Sequence, residues 1–386
     1  VTAKNSKYKI AIFTSDTVPY YHGSGRNAFH FADALNAQGY NSYIITLNKL
    51  FRFPYKKQHG KTIIYRLPIW QRNKLLKSLT FPFCFLFYLY HIARAKQVLL
   101  YGRIIGFEFI LLYSFLIRKP VYFQSTLLHA DDLESINNRN IIVRTLGLTK
   151  MLSGYFAINP LFAQLSKPYL RQSAKVFLKP QGVDMDQFHP PTLEQKQKLR
   201  KRYGIANDAL IFLTIGIVCK RKGYSAMFKE LSKLENDFTL LVVGDYDPEP
   251  WSCFANFRKE MQQLKSEGEH VLGESVQFVG TTEHVEEYLQ LADYFLFNSD
   301  AEGTPNALLE AMSCKTPIIC KKLEGTEFFL NHATAHIYDN DSDLSPTIAK
   351  ALACDNTEKT EHAYQFCRKH CSIEAVASAF VVECLS

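Results

Sequence analysis

Short, unbroken apolar runs alternate with helix-period stretches along most of this chain. Tyr8–Thr14, Ser42–Leu47, the TIIYRLP run inside residues 51–72, Pro120–Ser125, Gly154–Ile158 and Val176–Leu178 each read as a buried strand. Between the first two, SDTVPYYHGSGR reads as a loop. Asn27–Gln38 then places Ala28, Phe31, Ala32 and Leu35 on one helical face and stops at Gly39. Pro160–Leu170 is the next predicted helix. The pattern repeats further on, with a charged helix at Glu194–Tyr203 and strands at Leu210–Gly216, Phe238–Gly244, Val276–Gly280, Tyr294–Asn298 and Pro317–Cys320. Helices are predicted over HVEEYLQLAD and Ile348–Cys354, and the final CSIEAVASAFVVECL is amphipathic. Strands that read as continuous apolar runs belong to parallel sheets covered on both faces. The chain is therefore α/β, and its start reads as the βαβ opening of a Rossmann-like domain.

Two stretches sit apart from this rhythm. Ser78–Ile92, SLTFPFCFLFYLYHI, is very apolar but shorter than the roughly 20 residues a membrane span needs. Val98–Ile117 is longer but holds Gly102, Arg103, Gly106 and Glu108. Core helices and strands account for both. The first, flanked by Arg72, Lys74, Lys77, Arg94 and Lys96, also fits a segment lying on an anionic membrane.

Candidate chemistry concentrates in Asn298–Pro317, NSDAEGTPNALLEAMSCKTP. A strand, a polar turn and a helix follow one another there, with Thr304 as the expected N-cap and Pro305 as the first helical residue. The N–H groups of Asn306, Ala307 and Leu308 would face outward at a helix end that suits a phosphate. Glu302 lies in the turn, and Glu310 about 7.5 Å beyond the helix start at roughly 1.5 Å per residue. This spacing suits a nucleoside diphosphate whose ribose diol reaches Glu310. A capped helix with two solvated glutamates has the same spacing.

The wording EGTPNALLEAMSCKTPII resembles the Glu-x7-Glu motif of retaining GT-B glycosyltransferases, in particular glycosyltransferase family four. That resemblance implies a GT-B fold: two Rossmann-like domains facing each other across a cleft, with a C-terminal helix crossing back to the first. It implies transfer of a sugar from a nucleotide-diphosphate donor to an acceptor hydroxyl. It places Glu302 by the donor sugar, Gly303, Thr304, Pro305, Asn306, Ala307 and Leu308 against sugar and phosphate, and Glu310 on the ribose. Arg221-Lys222-Gly223 resembles the family's basic pair, which neutralises the diphosphate. The arginine that usually follows the preceding glycine is Ile217 here, so its role falls to Arg221. Gly280 and Thr281 match the strand end that holds the base, and Gly23-Ser24-Gly25 matches a glycine loop facing the diphosphate. His129, on a loop with Asp131 and Asp132, is the candidate for a sugar-contacting histidine. KPQGVDMDQFHP resembles the segment at the domain junction, which implies a linker near Gly182–Thr192, Rossmann-like domains at residues 1–185 and 186–371, and a terminal helix at 372–386. Lys315 departs from the glycine usual after the helix, which would cost roughly 1 kcal/mol if that position is left-handed.

Catalytic candidates are thus Glu302, His129, Arg221 and Lys222. No metal or other cofactor is expected. Asp245-Tyr246-Asp247 imitates a metal-binding DxD, but GT-B enzymes use basic residues and helix dipoles instead. Asp131-Asp132 reads as a charge pair opening the LESI helix. A UDP-sugar is expected ahead of a GDP-sugar. Two alternatives remain: a GT-B nucleotide-sugar epimerase or soluble sugar-phosphate synthase, and a non-catalytic basic scaffold that binds membrane or polymer.

Charge adds a partner. The net charge of +8 hides a split: residues 1–185 hold 25 lysines and arginines against 7 acidic residues, a net of +18, and the remainder is at −10. No nucleic-acid motif accompanies the basic half, so no nucleic-acid partner is expected. A glycan or lipid-linked acceptor and an anionic membrane surface fit better, in cell-surface glycan or glycolipid assembly. The nine scattered cysteines form no CxxC and the start carries no signal-peptide pattern, which together predict a reducing, cytoplasmic setting, peripheral on the inner face of the membrane. Oligomeric state is not readable from the sequence.

Overall fold

The structure, a computed structural model, describes residues 9–18, 23–49, 54–69, 74–248 and 255–385. It divides into two units, residues 1–182 with 373–386, and residues 183–372. The division falls at the Gly182 end of the expected linker, and the terminal segment belongs with the first unit.

The first unit is built on β1 (Lys9–Thr14), α1 (Gly23–Ala37), β2 (Asn41–Lys49), β3 (Lys56–His59), β4 (Thr62–Ile69), α2 (Lys74–Arg94), β5 (Gln97–Tyr101), α3 (Phe107–Leu116), β6 (Val121–Gln124), α4 (Leu133–Arg139), α5 (Ile141–Thr145), β7 (Gly154–Ala157), α6 (Pro160–Ser166) and β8 (Lys175–Leu178). Its sheet runs β3-β4-β2-β1-β5-β6-β7-β8, parallel except for the antiparallel edge strand β3. Alternation along β1 shows why the strands are apolar throughout. Ala11 and Phe13 enter one core, Ile10 and Ile12 the other. The loop expected up to Arg26 is helical from Gly23, and residues 19–22 of it lie outside the described residues. Gly25 is needed for close approach, since a Cβ there would stand 2.1 Å from the backbone oxygen of Asp16.

The apolar run Ser78–Ile92 lies within α2, and no helix among the described residues is long and apolar enough to cross a membrane. Its buried side includes Cys84, Tyr88 and Ile92. Tyr88 packs edge-on to Phe13 and donates to the backbone oxygen of Ile105. Its other side leaves Leu79, Phe83, Leu86 and Tyr90 each more than half exposed. The side chains of Lys74, Lys77 and Phe81, and Arg72 altogether, lie outside the described residues.

The last helix of the chain, Ile373–Cys384, covers the core formed by Ile10, Ile12, Phe31 and Phe156. Phe380 meets Phe31 and Phe156 with ring centroids 5.2 and 5.4 Å apart. Gln97 reaches its far end, donating to the Cys384 oxygen at 2.8 Å. Beneath it lies Lys179, 5% exposed, with Nζ donating to Tyr101 Oη and Gln124 Oε1 at 2.8 Å each. The ammonium sits 4.2 Å from the Phe31 ring centroid. Burial lowers its pKa to about 7, and aromatic faces offset only part of that cost.

The second unit contains α7 (Leu193–Arg202), β9 (Ile211–Ile215), α8 (Tyr224–Leu231), β10 (Thr239–Val243), α9 (Arg258–Leu272), β11 (Val276–Gly280), α10 (Val285–Leu291), β12 (Tyr294–Phe297), α11 (Asn306–Ser313), β13 (Ile318–Lys321), β14 (His336–Tyr338), α12 (Leu344–Leu352) and α13 (Thr357–Phe366). The sheet is parallel, in the order β11-β10-β9-β12-β13-β14. Ile211, Leu213, Phe295 and Phe297 serve one face, and Phe212, Tyr294 and Leu296 the other. The chain leaves β9 for β10 and β11 on one side and returns through β12 to β14 on the other. The carboxyl ends of β9 and β12 therefore flank the point where the winding reverses, which is where open α/β sheets hold ligands.

Lys179 yields a pH-dependent prediction. Between pH 7 and the ordinary lysine range the unfolded chain holds a proton that the folded chain lacks, so stability rises with pH there. Below pH 7 both forms are protonated and the penalty is constant. Lys179→Met should raise the unfolding free energy at pH 7 by on the order of a few kcal/mol, and the advantage should shrink towards pH 10. Denaturant titrations of both proteins at pH 7, 8.5 and 10 check this.

Candidate functional site

A glycine follows β9 and β10 and another closes β11, and the site begins there. Gly216, Gly244 and Gly280 lie side by side: Gly216 N–H donates to the Val243 oxygen and Gly244 N–H to the Gly280 oxygen, both at 2.9 Å. A Cβ on Gly244 would stand 1.8 Å from the Gly216 oxygen, so this row closes only without side chains. A Cβ on Gly216 would also crowd the end of Lys222 at 3.0 Å.

After Gly216 the chain makes a short turn at Lys220–Lys222, closed by Gly223 at φ 67°. The end of β12 clamps this turn. Asn298 Nδ2 donates to the Gly223 oxygen at 2.9 Å, and its Oδ1 accepts from the Tyr338 hydroxyl at 2.5 Å. Asp300 N–H and Ser299 Oγ both donate to the Arg221 backbone oxygen, at 2.9 and 3.2 Å. The basic turn and the polar turn after β12 are therefore one unit, hydrogen-bonded along their backbones.

Their side chains converge on Glu302. Its Oε1 accepts from Arg221 Nη1, from Lys222 Nζ at 2.8 Å and from Ser299 Oγ at 2.9 Å. Arg221 also donates to the Ala301 oxygen at 2.5 Å, and the Lys222 ammonium lies 4.7 Å from the Phe297 ring centroid. The Glu302 side chain is 11% exposed. Burial alone would push its carboxyl up, but Lys222 and Arg221, with the hydrogen bonds from Lys222 and Ser299, outweigh it and hold the pKa below the usual glutamate range.

The helix start differs from expectation by one residue. Pro305, at φ −67° and ψ 117°, is the cap residue, and α11 begins at Asn306. Thr304 precedes proline, where helical backbone is disfavoured, so it lies outside the helix and is buried instead. Leu308 N–H donates to the Pro305 oxygen at 3.2 Å, so it turns inward, against expectation. Leu308, Leu309, Ala311, Met312 and Ser313 are buried, which leaves Asn306, Ala307 and Glu310 on a partly open face. Gly303 and Pro305 are buried in the turn. Lys315 is left-handed at φ 56°, the conformation for which glycine is the usual residue. Its ammonium pairs with Glu361 at 2.5 Å and lies over the Tyr364 ring.

At the other end of the sheet Gly280 has φ 83° and faces the Tyr246 ring, while Thr281 is exposed. Asp247 is engaged by Arg258 and Gln262, and the described residues contain no cluster of ligands able to hold a metal.

The remaining candidates belong to the first unit. Gly23 and Gly25 form the first turn of α1 rather than a loop. His129 is exposed, at φ 58°. Asp131 accepts from Thr126 and Leu127 N–H, both at 2.8 Å, and Asp132 caps α4 by accepting from Ser135 N–H. Asn298, Ser299 and Tyr338 are the residues that sequence reasoning missed. The available signal was an asparagine and a serine closing an otherwise apolar strand.

Residues 195–369 match the family model for glycosyl transferases group 1. The match covers 175 of the 386 residues and lies within the second unit. Among curated relatives, the putative teichuronic acid biosynthesis glycosyltransferase TuaC of Bacillus subtilis is 26% identical over 175 residues, 45% of this chain and 39% of that protein. The match spans less than half of that relative. Sucrose-phosphate synthase from Thermosynechococcus elongatus superimposes with a TM-score of 0.78 at 18% identity, over 97% of both chains. Anabaena HepE, crystallised with UDP and glucose, gives 0.75 at 16% identity over 97% of this chain and 98% of that one. At those identities the likeness concerns fold, and the fold is GT-B: two Rossmann-like units on parallel sheets.

Two glycines separate strain from collision. Gly204 has φ 69° and open space for 4 Å around the place a Cβ would take, whereas at Gly223 a Cβ would stand 2.2 Å from the Asn298 oxygen. Gly204→Ala should cost about 1 kcal/mol. Gly223→Ala should cost at least twice that and displace the Arg221–Lys222 turn. Thermal melts rank the two variants, and equal costs would show that the Asn298 clamp yields freely.

Proposed function

We propose that this protein is a retaining glycosyltransferase that moves a sugar from a nucleotide-diphosphate donor to an acceptor hydroxyl in cell-surface glycan or glycolipid assembly. The observation that carries this reading is the convergence of Arg221, Lys222 and Glu302 at the winding reversal of the second unit, joined by the polar turn to the start of the helix bearing Glu310. HepE holds UDP and glucose on a related fold, which supports a UDP-sugar ahead of a GDP-sugar. TuaC carries a name from cell-wall polysaccharide synthesis, which supports the product class.

In this mechanism the bond between the sugar's anomeric carbon and the diphosphate oxygen breaks as the acceptor oxygen bonds to the same face of that carbon. The acceptor's proton passes to the departing diphosphate. Arg221, Lys222 and the start of α11 stabilise the charge that develops there. Glu302 orients the sugar through its hydroxyls. Glu310 accepts from the ribose diol, each charge-assisted bond contributing about 1.5–3 kcal/mol. Gly280 with Thr281 would hold the base. No step requires a metal.

The acceptor reading rests on the first unit. Its +18 charge is not needed by a donor held in the second unit. Leu79, Phe83, Leu86 and Tyr90 of α2 form one exposed stripe at helical spacing, with Arg94 following at the end of the helix. Leu112, Phe115 and Leu116 of α3 are exposed as well. Exposed apolar side chains on a strongly basic domain suit an anionic bilayer carrying a lipid-linked acceptor.

Glu310→Ala should weaken UDP binding about tenfold or more while leaving the melting profile close to wild type. Calorimetric titration with UDP checks this, and unchanged affinity would remove Glu310 from the ribose. Co-sedimentation with phosphatidylglycerol vesicles should decline as salt rises and fall further in a Phe83→Ser, Leu86→Ser double variant. Absence of binding at low salt would favour a soluble acceptor.

A further inference from the structure

One oxygen of Glu302 takes all three contacts of its carboxylate. Oε1 accepts from Arg221, Lys222 and Ser299, and Oε2 has no partner among the described residues. The carboxylate is therefore tied down on one side and open on the other, in a side chain that is 11% exposed. Two cations and one carboxylate leave the cluster with a single net positive charge facing any diphosphate. Both cations are otherwise held as well: Arg221 also donates to the Ala301 oxygen, and Lys222 is 14% exposed against the Phe297 ring.

Two nucleotides would meet this carboxylate in opposite ways. A sugar nucleotide presents hydroxyl donors next to its diphosphate, and an open carboxylate oxygen accepts them. A free nucleoside diphosphate presents a terminal phosphate at the same place, with a further negative charge and no donor. At low exposure such a charge is poorly screened, so the same oxygen that holds the sugar repels the product.

We propose that Glu302 discriminates between the two: it binds the sugar of the donor and disfavours the sugar-free nucleoside diphosphate, so that product release is built into the donor site. The inference rests on the reading of the second unit as a nucleotide-sugar site, and it goes beyond that reading by assigning the carboxylate an effect opposite in sign on donor and product. A carboxylate that merely positioned Arg221 and Lys222 would favour both ligands alike.

The two roles predict opposite outcomes for Glu302→Gln, which keeps the shape and an acceptor for Arg221, Lys222 and Ser299 but removes the charge. UDP and UDP-glucose are titrated calorimetrically into wild type and variant, with GDP and GDP-mannose as a second pair. The variant should bind the free nucleoside diphosphate at least fivefold more tightly than wild type. It should bind the sugar nucleotide no better, so the affinity ratio of donor to product falls. In turnover assays, inhibition by the nucleoside diphosphate should strengthen by the same factor. Unchanged or weaker binding of the nucleoside diphosphate overturns the inference while leaving the donor site intact. Equal tightening for both ligands also overturns it, because removal of charge alone would then suffice. If wild type binds none of the four nucleotides, the donor-site reading fails and this inference with it. Glu302→Asp, which retains the charge, guards against a folding artefact and should not tighten the nucleoside diphosphate.

Discussion

The ion pairs from Arg221 and Lys222 to Glu302 are the constraint on which the second unit's sheet edge depends. Two cations and a carboxylate with little solvent exposure are costly to hold apart, and each needs the others. Bringing them together requires the turn after β9 and the turn after β12 to run side by side. That in turn requires Gly223 in a left-handed conformation against the Asn298 backbone, and Asn298 anchored by Tyr338. The glycine row at 216, 244 and 280 serves the same end, since Lys222 passes over Gly216 where a side chain would crowd it. Packing, backbone conformation and charge thus agree on one arrangement at the carboxyl end of a parallel sheet.

The first unit handles a buried charge differently. Lys179 has no carboxylate partner and is held by Tyr101, Gln124 and aromatic faces beneath the terminal helix. It therefore gives up its proton near neutral pH, whereas Glu302 keeps its charge because two cations outweigh its burial. The contrast fits a division of labour in which charge is kept at the second unit's sheet edge and suppressed in the core under the last helix.

Much of this was legible in the sequence because parallel strands buried on both faces are apolar throughout. Tyr294–Asn298 and Val276–Gly280 stand out for that reason, and the glycines at the ends of three strands marked the sheet edge. Boundaries were less legible where a single residue decides them. Thr304 has the chemistry of an N-cap, yet Pro305 takes that place because threonine before proline is held extended. Gly23 and Gly25 resemble a phosphate loop, but the space a Cβ would fill at Gly25 is occupied by the Asp16 backbone, so that glycine serves packing. Within the apolar run Ser78–Ile92, helical periodicity turns Tyr88 into the core and leaves Phe83 and Leu86 outside. The pairing of Glu302 with Arg221 and Lys222 joins residues about eighty positions apart, and no local pattern encodes it. Asn298 and Tyr338 were missed for the same reason.

The central claim is that this cluster and the helix beside it receive the diphosphate of a nucleotide. A crystal structure of the protein with UDP tests it most directly. The account predicts phosphate oxygens within hydrogen-bonding distance, about 3 Å, of Arg221 and Lys222, with the ribose diol on Glu310 and the base near Gly280. A nucleotide bound elsewhere, or held through a metal on Asp245 and Asp247 with Arg221 and Lys222 untouched, would contradict it.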